Sequence, residues 1–95
     1  MKMDRQDFSY DANKYGYMVK YKEHNIGGAG VKGRPKMHWR HAQANVKDNI
    51  RYAEMEIQNL LEGRGRLDMR RLIEKIDSEE IQNDRQNRHT DKQAG

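Results

Sequence analysis

Residues 36–62, KMHWRHAQANVKDNIRYAEMEIQNLLE, are the stretch that decides the fold. They contain no proline or glycine, while Pro35 precedes them at a position suited to a first helical turn and Gly63 follows where a helix-ending glycine belongs. Apolar residues recur along the stretch at three- and four-residue steps, which is the spacing of one face of an α-helix. We therefore predict a helix over residues 36–62, about 40 Å long at about 1.5 Å per residue.

The apolar face of this helix repeats every seven residues, as in a short coiled-coil seam. The seam residues are Trp39, Val46, Ile50, Ala53, Ile57 and Leu60. A helix of this length is too long for one small core to cover, so we expect it to present the seam to a second copy of the chain. The sequence thus predicts a homo-oligomer, in its simplest form a dimer.

Upstream of the helix, residues 15–22, YGYMVKYK, alternate between two faces in residue types that favour strands. Residues 23–25 suit a turn, and residues 26–31 can return as a second strand weakened by glycine. Because an isolated hairpin is marginal in water, we expect the hairpin to pack on the long helix. Residues 1–14 are interpreted as a surface arm.

Downstream, GRGR at residues 63–66 breaks the chain, and Asp68 is placed to cap a second helix. After Ile81 the only apolar residue is Ala94, which is typical of a disordered tail. The predicted fold class is α+β and helix-dominated: an N-terminal β-hairpin packed on a long α-helix, then a shorter helix and a disordered C-terminal tail. The predicted units are an arm at 1–14, one small domain at 15–81 and the tail at 82–95.

The composition excludes several classes of protein. A chain of 95 residues allows one domain, and the lack of cysteine excludes a disulfide framework, a thiolate nucleophile and a cysteine-based zinc site. The opening MKMDRQDFSYD has no apolar run of a signal peptide or a membrane span. We expect a cytoplasmic protein, inside a bacterial or host cell, with no membrane partner.

Charge is segregated along the chain, although 19 basic and 15 acidic residues leave a net charge of only +4. No acidic residue occurs from residue 24 to residue 47, a pattern that favours a polyanionic partner. The cations predicted to contact it are Lys20, Lys22, Lys32, Arg34, Lys36, Arg40, Lys47, Arg64 and Arg66.

The segment GGAGVKGRPK, residues 27–36, suits phosphate binding because its glycines and cations lie just ahead of a helix N-terminus. It matches neither the GxxxxGK[ST] loop nor GxGxxG. The alternative is a flexible connector kept soluble by its charges. Cations oppose the dipole at the start of a helix, which favours the functional interpretation.

Residues 60–76, LLEGRGRLDMRRLIEKI, resemble the helix-hairpin-helix motif, in which a glycine–hydrophobic–glycine turn offers backbone N–H groups to a DNA phosphate. Gly63 and Gly65 match the two glycines. Arg64 stands where that family has a hydrophobic residue, and Met69 where it has a small one. An ordinary glycine stop at the end of a helix explains the same residues, and we prefer it.

The remaining candidate groups predict no chemistry. His38 and His41 share a helix face without a third ligand nearby, and no nucleophile is spaced to match a histidine base, so we expect no metal site, no catalytic residue and no cofactor. Tyr15, Tyr17, Tyr21 and Trp39 could stack on bases of a single strand, but a chain so poor in leucine and valine needs aromatic residues for its core. We therefore prefer the core interpretation.

The function that these observations predict is non-enzymatic: a small accessory protein that binds a nucleic acid or nucleoprotein through its basic glycine-rich loop and helix start. An alternative is a protein–protein inhibitor or adaptor of the type encoded by viruses and mobile elements, which resembles in general composition the anti-CRISPR proteins that block bacterial defence nucleases. A third is a structural subunit that assembles through the heptad seam.

Overall fold

The computed structural model describes the backbone of residues 3–94 and the side chains of residues 3–80. A short 3-10 turn, Arg5–Asp7, leads into three strands, β1 (Phe8–Asn13), β2 (Gly16–Tyr21) and β3 (His24–Gly30), and then two helices, α1 (Trp39–Leu61) and α2 (Leu67–Ala94). The strands form one antiparallel sheet in the order β1-β2-β3. The predicted α+β, helix-dominated fold class is confirmed. Within this described range, neither helix carries an apolar stretch long enough to cross a bilayer.

Strand β1 corrects the interpretation of residues 1–14 as a surface arm. It pairs with β2 along its whole length, from Phe8 opposite Tyr21 to Asn13 opposite Gly16. Its sequence, FSYDAN, alternates in burial because Phe8, Tyr10 and Ala12 face the helices. The alternation that predicts a strand is therefore present in residues 8–13, but half of these residues are polar, and the strand was missed.

The β2–β3 hairpin lies where it was predicted, with β3 beginning at His24 rather than residue 26. Lys22 and Glu23 form the turn, both with positive φ (47° and 73°), as two-residue turns that match the twist of a hairpin require. An irregularity follows Val19, which pairs with Gly27 while Lys20 pairs with Asn25. The unpaired extra residue, Ile26, is buried in the core.

The core lies between the sheet and the two helices. Its buried residues are Phe8, Val19, Tyr21, Ile26, Ala53, Ile57, Leu60, Met69 and Ile73. α1 packs on β1 and β2, while α2 packs on β3. Gly27 permits that second contact, because a Cβ at this position would lie only 2.9 Å from Met69 Cε. The glycine that weakens β3 as a strand thus lets α2 approach it closely.

The predicted oligomer seam is largely used within the chain. Ala53, Ile57 and Leu60 are at most 1% exposed because they pack on the chain's own sheet, so the seam prediction is wrong for these three residues. β1, missed from the sequence, widens the sheet enough to cover this half of α1. The stripe continues as half-buried Val46 and Ile50 and ends at exposed Trp39.

The helix boundaries differ from those predicted. The second helix, expected to be the shorter one, has 28 residues against 23 in α1. α1 begins at Trp39 rather than residue 36, because the Nδ1 atom of His38 accepts a hydrogen bond from the backbone N–H of Arg40 and so caps the helix. Gly63 ends it in a left-handed conformation (φ 79°), as expected of a glycine stop. Asp68 lies inside the first turn of α2 rather than at its cap. The predicted disordered tail, 82–95, lies outside the residues whose side chains are described.

Candidate functional site

The two ends of the sheet differ in charge. At one end, the β1–β2 turn meets the loop after β3 and the start of α1, where Val31 N–H donates to the Tyr15 carbonyl at 2.9 Å. We call residues 13–15 and 31–47 the basic end, since they contain no acidic residue. At the opposite end, the β2–β3 turn meets α2. We call residues 21–24 and 77–80 the paired end.

Lys22 belongs to the paired end and is engaged within the chain. Its Nζ atom lies 2.8 Å from Glu80 Oε2 and 3.3 Å from Asp77 Oδ1. The Tyr21 hydroxyl donates to the same Asp77 oxygen at 2.8 Å. The Glu80 hydrogen bond raises the pKa of Lys22, while burial and then Asp77 raise the pKa of Tyr21 to about 12. Lys22 therefore ties the hairpin to α2.

Three more of the predicted binding cations are also engaged within the chain. Lys20 lies 2.7 Å from Asp11 across the outer face of the sheet, and Arg64 lies 3.0 Å from Glu62. Arg66 is the most constrained of the three, since it contacts Asp68 at 2.8 Å and donates to the Gly28 carbonyl on β3 at 3.2 Å. Asp68 raises the pKa of Arg66, whose guanidinium in turn lowers the pKa of Asp68. Of the three, Arg66 links the start of α2 to β3, whereas the exposed pairs of Lys20 and Arg64 are worth little in stability.

The other five predicted cations lie together at the basic end. All are exposed, and within residues 3–80 no carboxylate comes within ion-pair distance of any of them. They are Lys32, Arg34, Lys36, Arg40 and Lys47. The structure therefore divides the predicted binding residues into four that are paired internally and five whose charge faces solvent.

Three open clefts lie at the basic end, and the smallest, of about 270 Å³, has Asp11 in its lining. The first of the two larger clefts, of about 460 Å³, is bounded by the β1–β2 turn, Arg34 and one side of α1. The second, of about 400 Å³, lies between the end of β3 and the other side of α1. Lys14 and Tyr15 line both, so the clefts adjoin along the turn. A strand or peptide of extended shape could follow this path.

Two asparagines on α1 hold that turn in place. Asn45 Nδ2 donates to the Lys14 carbonyl at 3.3 Å, and Asn49 Nδ2 donates to the Asn13 carbonyl at 2.7 Å. Asn13 in turn accepts hydrogen bonds from the backbone of Tyr15 and Gly16 through Oδ1. Sequence reasoning missed this anchoring, although amides four residues apart on one helix face are a signal for it.

Trp39 stands at the start of α1 and is 58% exposed. The His38 ring stacks beside it with centroids 5.8 Å apart, and the Arg40 guanidinium lies 5.2 Å from its ring centroid. His41 contacts the edge of the His38 ring. Residues 3–80 contain no group of three or more side chains that could hold a metal ion around these histidines.

The tyrosines divide between core and surface. Tyr21 is buried, and half-buried Tyr17 packs against the core, as the core interpretation predicted, whereas Tyr15 is half-buried at the clefts. The core interpretation is wrong for Trp39, which is exposed. Tyr52, which sequence reasoning did not consider, is 50% exposed on α1, and its ring lies 6.3 Å from that of Tyr17. Burial and the neighbouring Glu56 carboxylate raise the pKa of Tyr17.

Comparison of the chain with protein-family models, with curated proteins and with solved structures finds no match. What the chain does must therefore be argued from the chemistry of the basic end.

Proposed function

We propose that this chain is a non-enzymatic binding protein that engages the phosphate backbone of a nucleic acid with its basic end. One observation carries the proposal: of nine cations that could meet a polyanion, four are paired within the chain, and the five exposed ones all belong to the basic end, where Arg34 also lines a cleft. A cluster that serves only solubility would not need to exclude acids from 24 consecutive residues, 24–47.

The local backbone supports an anion at this position. The first turn of α1 contains no acidic residue, and residues 31–36 before it are exposed. Three glycines of the predicted phosphate-binding segment, Gly27, Gly28 and Gly30, belong instead to β3 and pair with β2, so only Gly33 remains in the loop. The positive end of a helix dipole attracts an anion, whereas each cation placed there opposes the dipole by about 0.3–1 kcal/mol. Arg40, in the first turn, thus lies where it destabilises α1 slightly unless a bound anion offsets its charge.

Contacts of lysine and arginine with phosphate position a protein on nucleic acid without reading the sequence. Each contact releases counterions, so the affinity falls as salt rises. The test is a fluorescence-anisotropy titration of a labelled oligonucleotide of about 30 residues, single-stranded and duplex, across a salt series. We expect the logarithm of the affinity to fall linearly with the logarithm of the salt concentration. Each phosphate contact should add about −0.9 to the slope on a duplex and about −0.7 on a single strand, and we expect several contacts.

A matched pair of triple variants locates the contact surface. Changing Lys32→Ala, Arg34→Ala and Lys36→Ala should reduce the magnitude of the salt slope by about 2–3 and weaken binding by at least about tenfold at low salt. The control, Arg70→Ala, Arg71→Ala and Lys75→Ala, removes the same charge from exposed positions of α2. The salt slope of this control should differ from that of the wild type by no more than one phosphate contact contributes, about 0.9 on a duplex.

Two results would contradict the proposal. One is absence of binding to either oligonucleotide at low salt, after which the protein–protein inhibitor becomes the hypothesis to test by pull-down. The other is an equal loss in both triple variants, because binding would then follow net charge and not the basic end.

A further inference from the structure

We propose that the nucleic acid is single-stranded and that its bases stack on Trp39 and in the cleft beside Tyr52. This inference rests on the proposed function and names the class of ligand. It follows from three features of the basic end: an exposed tryptophan among cations, a cleft lined with tyrosine, and the lack of acidic residues among the described residues that line the two larger clefts.

Trp39 is the only tryptophan of the chain, and the fold leaves it out of the core. Its 58% exposure contrasts with Phe8 and Tyr21, which are at most 4% exposed. Arg40 and His38 lie against it, so an aromatic surface and a positive charge are presented together. Aromatic faces beside a basic groove are how proteins bind single strands, because every base offers a π-face.

The second cleft offers a separate aromatic surface, since Trp39 is not among the residues that line it. Tyr17 and Tyr52 line it from the sheet and from α1, and Tyr15 links it to the first cleft below Arg34. The asparagine side chains of α1 that line it also hold the β1–β2 turn, so its walls are fixed by hydrogen bonds. A duplex keeps its base faces stacked inside, and only an unpaired base can enter such a cleft.

Charge complementarity identifies a polyanion as the occupant. The residues that line the two larger clefts, in the part of the chain that the structure describes, include Lys14 and Arg34 and no aspartate or glutamate. The Glu56 carboxylate next to Tyr17 is paired with Arg66 at 3.5 Å. A second copy of the chain that docked through this same end would bring its own cations against these. A single-stranded nucleic acid instead supplies phosphates for the cations and bases for the aromatic rings.

Emission from Trp39 gives a direct readout, because the chain has no other tryptophan. The full chain is titrated with a single-stranded oligonucleotide, with its duplex, and with an abasic strand of equal length. We expect the single strand to quench Trp39 emission and to bind at least about fivefold more tightly than the duplex or the abasic strand at equal salt, as one stacked base implies.

Variants separate stacking from folding. Trp39→Ala should lose about 5- to 150-fold in affinity for the single strand, and Trp39→Phe should recover part of that loss. Tyr52→Ala should weaken binding in the same direction while Trp39 still reports it. Met55→Ala is the matched control, since Met55 is exposed on α1 outside both clefts, and its affinity should equal that of the wild type.

The outcomes distinguish this inference from the proposed function. Equal, salt-dependent binding of single strand, duplex and abasic strand without quenching would overturn the inference and leave the proposed function standing. No binding to any of the three would overturn both. Trp39 emission that changes with protein concentration alone, together with a dimeric mass by sedimentation, would show that a second copy covers the ring and would overturn the inference.

Discussion

The paired end and the basic end use the same residue types for opposite purposes. At the paired end, Lys22 lies between Asp77 and Glu80, and the Tyr21 hydroxyl shares the Asp77 oxygen. At the basic end, Lys36 and Arg40 face solvent with no carboxylate of residues 3–80 within ion-pair distance. The role of a lysine in this chain is therefore decided by what lies across from it in space.

The same division separates stability from binding. The buried part of α1, from Ala53 to Leu60, lies over the sheet, whereas the half of α1 beyond the β1–β2 turn is exposed or half-buried. A protein that stabilises one half of a helix with its core can leave the other half to carry charges that oppose folding. The predictions below test this division, beginning with the largest effect.

The first prediction concerns the core half of α1. Leu60→Ala should lower the free energy of unfolding by about 2–5 kcal/mol, because Leu60 is fully buried and its truncation leaves a cavity. Val46→Ala, on the half-buried part of the same stripe, should cost about 1 kcal/mol or less. Urea denaturation followed by circular dichroism measures both. Equal losses would mean that the two halves of α1 contribute alike.

The second prediction compares two lysines, one from each end. Lys22→Met should cost about 1 kcal/mol of stability, because it leaves the Asp77 carboxylate, whose side chain is only 15% exposed, without its cation. Lys36→Met should change stability by less than about 0.5 kcal/mol. The affinity for the oligonucleotide should change in the reverse order. Lys36→Met should bind it more weakly than the wild type, and Lys22→Met should bind it equally well. A loss of affinity in Lys22→Met would contradict the assignment of Lys22 to the fold.

The third prediction is a pH dependence that belongs to the paired end. The pKa of Tyr21 is about 12, so the folded chain keeps a proton that the unfolded chain loses above about pH 10. The free energy of unfolding should therefore fall as pH rises from about 10 to about 12, and the raised pKa of Lys22 adds to that fall. Tyr21→Phe should show a shallower fall in denaturation midpoints over this window. If the denaturation midpoints of the wild type and of Tyr21→Phe fell equally over this pH range, the prediction would be refuted.

Much of the fold could be predicted from local pattern alone. The long helix, its stop at Gly63 and the hairpin all follow from spacing, glycine and strand propensity. The structure has each of them, with the helix beginning at Trp39 rather than residue 36. The missed strand, β1, alternates as clearly as β2 does, but three of its six residues are polar. Without β1 the predicted sheet was too narrow to cover α1, and the error in the seam followed from that.

The paired cations could not be predicted from local pattern. Lys22 and Asp77 are 55 residues apart, and Arg66 reaches Gly28 across 38 residues. Such contacts depend on the packing of α2 on β3, which Gly27 permits by lacking a side chain. The acid-free run, in contrast, is a property of consecutive residues, and for that reason the sequence located the basic end correctly as a concentration of charge.

The most direct test of the division is an NMR titration of the ¹⁵N-labelled chain with a short single-stranded oligonucleotide at low salt. The account predicts shifts in the backbone amides of residues 13–15 and 31–47 and in the Trp39 indole N–H, with the amides of residues 21–24 and 77–80 unmoved. Shifts concentrated at the paired end, or spread evenly over all exposed cations, would contradict it.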